Sequence, residues 1–204
     1  MTRGRAKILF MLLPPVTQYL PRRGNVFSRA LGRRFLDLLG WRITGTLPDL
    51  PRLVIIVAPH TSNWDFFIGV GVQLALGLDG CWLGKHTLFL GPWAPLLRWL
   101  GGVPVNRAAP QGLLPELVRQ LNSRERFLLA LAPEGTRRKT ERWKSGFHAI
   151  ALQTGAPIVP VALDYGPHEV RFGPLFMPSA DFAADLQELR KFYRGVVPRH
   201  PENF

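Results

Sequence analysis

The chain carries one cysteine, Cys81, among 204 residues. That excludes an intrachain disulfide and any metal site built from several thiolates. It also lacks an apolar run long enough to cross a bilayer. Spanning takes about 20 consecutive apolar residues, and the longest early run, Ile8-Leu9-Phe10-Met11-Leu12-Leu13, stops at Pro14-Pro15. The same run is too short, and lacks the cleavage pattern, for a secretory signal. Acids are scarce, with 14 Asp and Glu against 26 Lys and Arg. There is no Gly-x-Ser-x-Gly nucleophile elbow, no phosphate loop ending in Gly-Lys-Ser/Thr and no His-Glu-x-x-His helix. The five histidines show no ligand spacing, so no metal and no bound cofactor is expected.

What is present has the composition of one folded domain. Apolar residues at 47% and charged residues at 20% exclude a disordered or collagen-like chain, and the length suffices for a sizeable core. The net charge of +12 has a location. Residues 1–44 hold nine of the 26 basic side chains and one acid, Asp37, leaving +4 for the other 160 residues. These cations are interleaved with apolar residues. Phe27, Leu31, Phe35 and Leu38/Leu39 recur at helical spacing, with Arg29 and Arg33 on another face and Trp41 beyond. A basic amphipathic helix of this kind suits the headgroup boundary of an anionic bilayer, where each Lys or Arg contributes about 1 kcal/mol. Residues 1–44 therefore read as a membrane-associating segment and 45–204 as the main domain. The expectation is a protein lying on a membrane at its cytoplasmic face, with no nucleic-acid partner, since a nucleic-acid coat would spread its charge.

From residue 53 onward strands and helices alternate. Leu53 to Ala58 is a continuous β-branched run, as a strand buried on both faces carries. Runs at 81–83, 102–105, 127–131 and 157–163 are similar, with short ones at 170–172 and 175–176. Helices are predicted near 64–77, 93–100, 111–122, 145–155 and 181–194. This alternation predicts a single layered α/β domain with a largely parallel central sheet flanked by helices, plus the amino-terminal amphipathic helical segment. Prolines within two of the runs predict edges or bulges there. Chemistry in such sheets gathers beyond the strand carboxyl ends.

Four strand ends carry polar residues. After the first run come His60 and Asp65, separated by four residues across a strand-to-helix turn, with Ser62 and Asn63 as helix caps. Such a turn can fold the carboxylate onto one imidazole nitrogen and leave the other free to take a proton. The plainer reading makes His60 a strand-end residue and Asp65 a cap. After 127–131 come Glu134-Gly135-Thr136-Arg137-Arg138-Lys139, a turn with three consecutive cations suited to an anion. Arg107 follows 102–105, and Lys85-His86 follows 81–83. Singly, each is more often a solvated turn; together they line one sheet edge. Cys81, inside an apolar run, reads as core.

Taken together these blocks resemble the glycerolipid acyltransferases typified by lysophosphatidic acid acyltransferase, from about Gly40 to Phe176. His60-x4-Asp65 looks like that family's catalytic block. Gly102-Val103-Pro104-Val105-Asn106-Arg107, Pro133-Glu134-Gly135-Thr136-Arg137 and Ile158-Val159-Pro160-Val161 follow in the family's order, and Trp143-Lys144-Ser145-Gly146-Phe147 looks like its aromatic-Lys-x-Gly continuation. The resemblance implies a phospholipid-biosynthetic O-acyltransferase. His60 would be the base, Asp65 its partner, and Arg107 the contact to the acceptor's phosphate, with Lys85 beside it. Glu134, Gly135, Thr136 and Arg137 would shape the acceptor site. The implied donor is acyl-coenzyme A or acyl carrier protein, and the implied acceptor a lysophospholipid, 1-acylglycerol-3-phosphate by default. Ala132, Arg138 and Asn106 depart from the family pattern and leave another lysolipid or an amino-acid lipid open as acceptor. Two further readings stand beside it: a thioesterase-like hydrolase using the same dyad on water, and a non-catalytic basic module binding membrane or nucleic acid.

Overall fold

The apolar runs pair into one seven-stranded sheet in a computed structural model, which describes residues 18–106, 112–140 and 142–203. The strands are β1 (Arg42–Thr44), β2 (Arg52–Ala58), β3 (Gly80–Lys85), β4 (Gly102–Val105), β5 (Phe127–Leu131), β6 (Ile158–Asp164) and β7 (Glu169–Phe172). Their order is β1-β7-β6-β2-β5-β3-β4, and every pairing is parallel except β6 with β7. The parallel register brings Val54 opposite Ile158 on one side and Leu129 on the other. The carboxyl ends of β2, β5, β3, β4 and β6 therefore open onto one edge.

β2 lies mid-sheet because its residues are apolar toward both faces. Leu53 and Ile55 join one core with Ile68 and Val72; Val54 and Ile56 join the opposite core with Leu117 and Ile150. This is the period-two alternation of a strand, with helices covering each side. The helices are α1 (Val26–Leu38), α2 (Trp64–Leu76), α3 (Ala94–Trp99), α4 (Leu113–Asn122), α5 (Gly146–Thr154) and α6 (Phe182–Lys191). α1 and α2 cover the first face, and α4, α5 and α6 the second.

α1 is capped by Asn25, whose Oδ1 accepts from Ser28 N at 3.0 Å while Ser28 Oγ accepts from Asn25 N at 2.9 Å. It crosses α2 closely at Gly32, where a Cβ would lie 2.4 Å from Ala75 N. The helix presents two apolar faces rather than one. Leu36 is fully buried and Phe35 partly so, each packing toward Gly71 of α2, whereas Phe27, Leu31 and Leu38 point outward at 78%, 56% and 85% exposure. The predicted stripe is thus divided: Phe35 turns to the core, and the outer ridge is Phe27, Leu31 and Leu38. The Ile8–Leu13 run lies outside the described residues.

The two prolines follow the sheet's weak points. Pro104 is in the edge strand β4. Pro160 is in the interior strand β6, where Ile158 N donates to Phe176 O and Gly173 N donates to Pro160 O. Between those bonds Pro174 and Leu175 leave the ladder, so the missing N–H of Pro160 falls at an interruption. Of the runs at 170–172 and 175–176, which together suggest a last strand, the first lies in β7 and the second contributes only an isolated bridge between Ile158 and Phe176. Strand β1, three residues long, has no clear apolar pattern and was not predicted. Among the described residues no helix is long and apolar enough to cross a membrane.

Candidate active site

β2 ends at Ala58, and the chain turns through His60 into α2. Asp65, in the first turn of α2, points back into that turn. Its Oδ2 accepts from Thr61 N and Ser62 N, both at 2.8 Å, and lies 3.2 Å from His60 Nδ1. Its Oδ1 accepts from Tyr165 Oη at 2.6 Å. The aspartate side chain is 1% exposed and that of the histidine 24%. Burial alone would push the Asp65 carboxyl up. The bonds from His60, Tyr165 and Ser62 outweigh it and hold Asp65 below its ordinary range, so it stays charged. Nδ1 faces this fixed carboxylate, and Nε2 is the nitrogen left to take a proton. The helix caps differ from expectation: Ser62 Oγ accepts from Trp64 N at 3.2 Å, while Asn63 makes no capping bond.

The loop after β5 closes the other side. Glu134 Oε1 accepts from His60 N at 3.1 Å, tying the two turns together. Glu134 is 5% exposed, and its Oε2 has no partner among the described residues. Burial pushes its carboxyl up, and the nearby Asp65 charge adds to the push. Gly135 stands at φ 65°, a left-handed turn that glycine adopts without strain, and a Cβ there would meet the Lys144 side chain at 2.8–3.1 Å. The Lys144 ammonium therefore lies against this turn. Arg137 donates to Asn63 Oδ1, which places a cation beside the start of α2. Thr136 Oγ1 accepts from Arg138 N at 3.2 Å, within its own loop.

Of the predicted residues, His60, Asp65, Glu134, Gly135 and Arg137 converge on one turn. Lys85 stands at the exposed end of β3, paired in register with Val105 and two strands from β2, about 10 Å along the sheet edge. Arg107 lies outside the described residues. Cys81 lies in β3 with its thiol pushed up to about 11 by burial, which keeps it protonated and unreactive at neutral pH.

Sequence reading missed the carboxyl-terminal side of the site. Tyr165 follows β6 directly, and its ring meets Trp41 edge-on at 4.8 Å. Its amide donates to Val197 O at 2.8 Å. Arg199 lies over the rings of Trp64 at 5.2 Å and Tyr165 at 5.8 Å, and His200 N donates to Thr61 Oγ1 at 3.2 Å. The available signal was the position of Tyr165 at a strand carboxyl end, the rule that located His60.

The largely parallel α/β sheet carries at its carboxyl edge an imidazole with a buried carboxylate 3.2 Å from one ring nitrogen, an arrangement able to take a proton from a bound hydroxyl or water. The chain belongs to the Acyltransferase family, whose model matches residues 45–164. It is 29% identical to a 1-acyl-sn-glycerol-3-phosphate acyltransferase of Cocos nucifera over 76% of this chain and 52% of that one. It is 26% identical to the Escherichia coli protein of that name, over 76% of this chain and 65% of that one. The chain thus spans about half the length of the coconut relative. The crystal structure of the 1-acyl-sn-glycerophosphate acyltransferase PlsC from Thermotoga maritima shares the fold. Its TM-score is 0.64 at 20% identity, over 83% of this chain and 77% of that one.

Proposed function

We propose that the protein transfers a fatty acyl group from a thioester, acyl-coenzyme A or acyl carrier protein, to the free hydroxyl of a lysophospholipid, 1-acylglycerol-3-phosphate in the first instance. The observation that carries this reading is the buried Asp65 carboxylate against His60 Nδ1, on the turn that Glu134 ties to the next strand. His60 Nε2 takes the proton of the acceptor hydroxyl as its oxygen attacks the thioester carbonyl. The tetrahedral intermediate then expels the thiolate, which receives the proton from the imidazolium. Asp65 stabilises that imidazolium by charge and fixes the ring's orientation. No acyl-enzyme is required, because the thioester is already activated. Arg107 would hold the acceptor's phosphate, with Lys85 at the neighbouring strand end and Arg137 beside the dyad; Gly135 and Thr136 would shape the acceptor's approach.

The protein would work on a membrane, at its cytoplasmic face and without crossing it. Support comes from two neighbouring exposed surfaces. On α1 the ridge is Phe27, Leu31 and Leu38; around α3 it is Leu90, Trp93 and Trp99, at 78%, 69% and 49% exposure. Arg23 donates to the Trp99 carbonyl, which joins the two. Arg29, Arg33, Arg34 and Arg98 lie on the same elements, and apolar ridges with tryptophans amid arginines suit an anionic lipid surface.

The test is product analysis with a labelled acyl thioester and a panel of lysolipids in detergent. Labelled phosphatidate supports the proposal with its default acceptor, and another acylated lipid reassigns the acceptor. Labelled free fatty acid formed without consumption of acceptor would replace the transferase with a hydrolase.

A further inference from the structure

The dyad has a third member from a distant part of the chain. Asp65 must be held by two sets of contacts if its Oδ2 is to face His60 and not rotate away. The Thr61 and Ser62 amides grip Oδ2 from within the catalytic turn. Oδ1 is held by Tyr165 Oη at 2.6 Å, 100 residues further along the chain. The Tyr165 ring is itself fixed, edge-on against the buried Trp41 and beneath the guanidinium of Arg199. The segment that carries Arg199 is pinned in turn. Val197 N donates to Asp164 Oδ1 at 3.2 Å, Val197 O accepts from Tyr165 N, and His200 N reaches Thr61 Oγ1. A strap from the carboxyl-terminal region therefore closes over the catalytic turn.

Resting on the reading of His60 and Asp65 as base and partner, we propose that Tyr165 is a positioning residue for the general base, and that Arg199 orients Tyr165 from the strap. Tyr165 Oη donates to Asp65 Oδ1 and takes up part of the carboxylate's negative charge. Asp65 then steadies the His60 imidazolium without binding its proton too firmly. The tyrosine remains a donor, because burial and the Asp65 charge both push its hydroxyl well above the ordinary tyrosine value. The charged and titratable groups that face the dyad are Glu134 and Lys144 from the loop after β5, Arg137 at Asn63, Tyr165 after β6, and Arg199 on the strap.

The direction of the pH effect follows from charge. Without the phenol, the carboxylate keeps its whole negative charge beside the imidazolium that forms during the reaction. The acidic limb of kcat/KM in Tyr165→Phe should then move upward by a few tenths of a pH unit, with kcat down by roughly tenfold and KM for both substrates within twofold. Arg199→Gln, at an exposed residue, removes a nearby cation and should move the limb the same way while leaving the fold intact. In an Asp65→Asn background, Tyr165→Phe should add less than a twofold loss, since the two act through one carboxylate.

Three results would overturn the proposal: an unmoved acidic limb in both variants, a Tyr165→Phe kcat within twofold of wild type, or losses that multiply in the double variant. Retained activity in His60→Ala would instead refute the underlying reading of the dyad, so the two failures are distinguishable. The readout is steady-state acyl transfer from pH 5 to 9, with melting temperatures confirming that each variant is folded.

Discussion

Replacing Asp65 by Asn tests whether the carboxylate acts by charge or only by shape. The amide is nearly isosteric, and its oxygen in the Oδ2 place still accepts from Thr61 N and Ser62 N at the observed 2.8 Å. Tyr165 can turn its hydroxyl to accept from the new NH2 group. Shape survives, then, while three charge-assisted bonds to the Oδ2 position become neutral. Each such exchange costs about 1 kcal/mol. Relief from burying a charge offsets part of that sum, leaving a loss of about 1–3 kcal/mol at neutral pH. The loss in activity should be larger. Without the charge the imidazolium is not stabilised, so kcat should fall by roughly 10²–10⁴ with little change in KM.

The stability difference carries a sign. Asp65 is held below its ordinary value of 3.8 in the folded protein, so its contribution is present above that value and lost as the pH falls through the folded value. The gap between wild type and Asp65→Asn in urea denaturation should therefore narrow below about pH 4. A kcat within threefold of wild type would refute the orienting role. A gap that widens on acidification would refute the electrostatic argument.

Two other outcomes are expected. Gly32→Ala places a Cβ against Ala75 N and Gly71 O of α2, which are backbone atoms and do not yield. Overpacking of about 1–3 kcal/mol exceeds the helix-propensity gain of about 1 kcal/mol. Melting should drop by roughly 2–8 °C, and an unchanged or higher melting temperature would show that the helices separate freely. The combined Leu90→Ser and Trp93→Ser variant removes two exposed apolar side chains near α3. Sedimentation with anionic vesicles should show partition reduced by tenfold or more, while turnover of a short-chain soluble acceptor stays within twofold. Undiminished partition would remove this surface from the membrane reading.

The fold was legible wherever local pattern and burial agree. The run from Leu53 to Ala58 became β2 with one added residue, and 127–131 became β5 unchanged, because strands covered on both faces must be apolar throughout. Helix limits fell within a few residues of those predicted, since glycines such as Gly77 and Gly155 stop them in the left-handed conformation. Strand order was not legible, because nothing local says that β1 pairs with β7 or that β5 lies between β2 and β3. In the site, the contact of His60 with Asp65 was legible because both lie on one short turn, whereas the reach of Glu134 to His60 N spans 74 residues of sequence and shows only in the fold. Tyr165 and Arg199 were missed because only the folded chain brings the end of β6 to Asp65 and the strap to Trp64. The inward turn of Phe35 was hidden for a related reason. A helical stripe shows which residues share a face, and only the Gly71 surface of α2 decides which of them it receives.

As proposed above, His60 is the base for acyl transfer to a lipid hydroxyl. The most direct measurement is phosphatidate formation from labelled oleoyl-coenzyme A and lysophosphatidate in detergent, by wild type and by folded His60→Ala. Wild type should form product, and the variant should lose roughly 10²–10⁴-fold, the scale expected when a general base is removed. Product formed equally by both proteins would contradict the proposal.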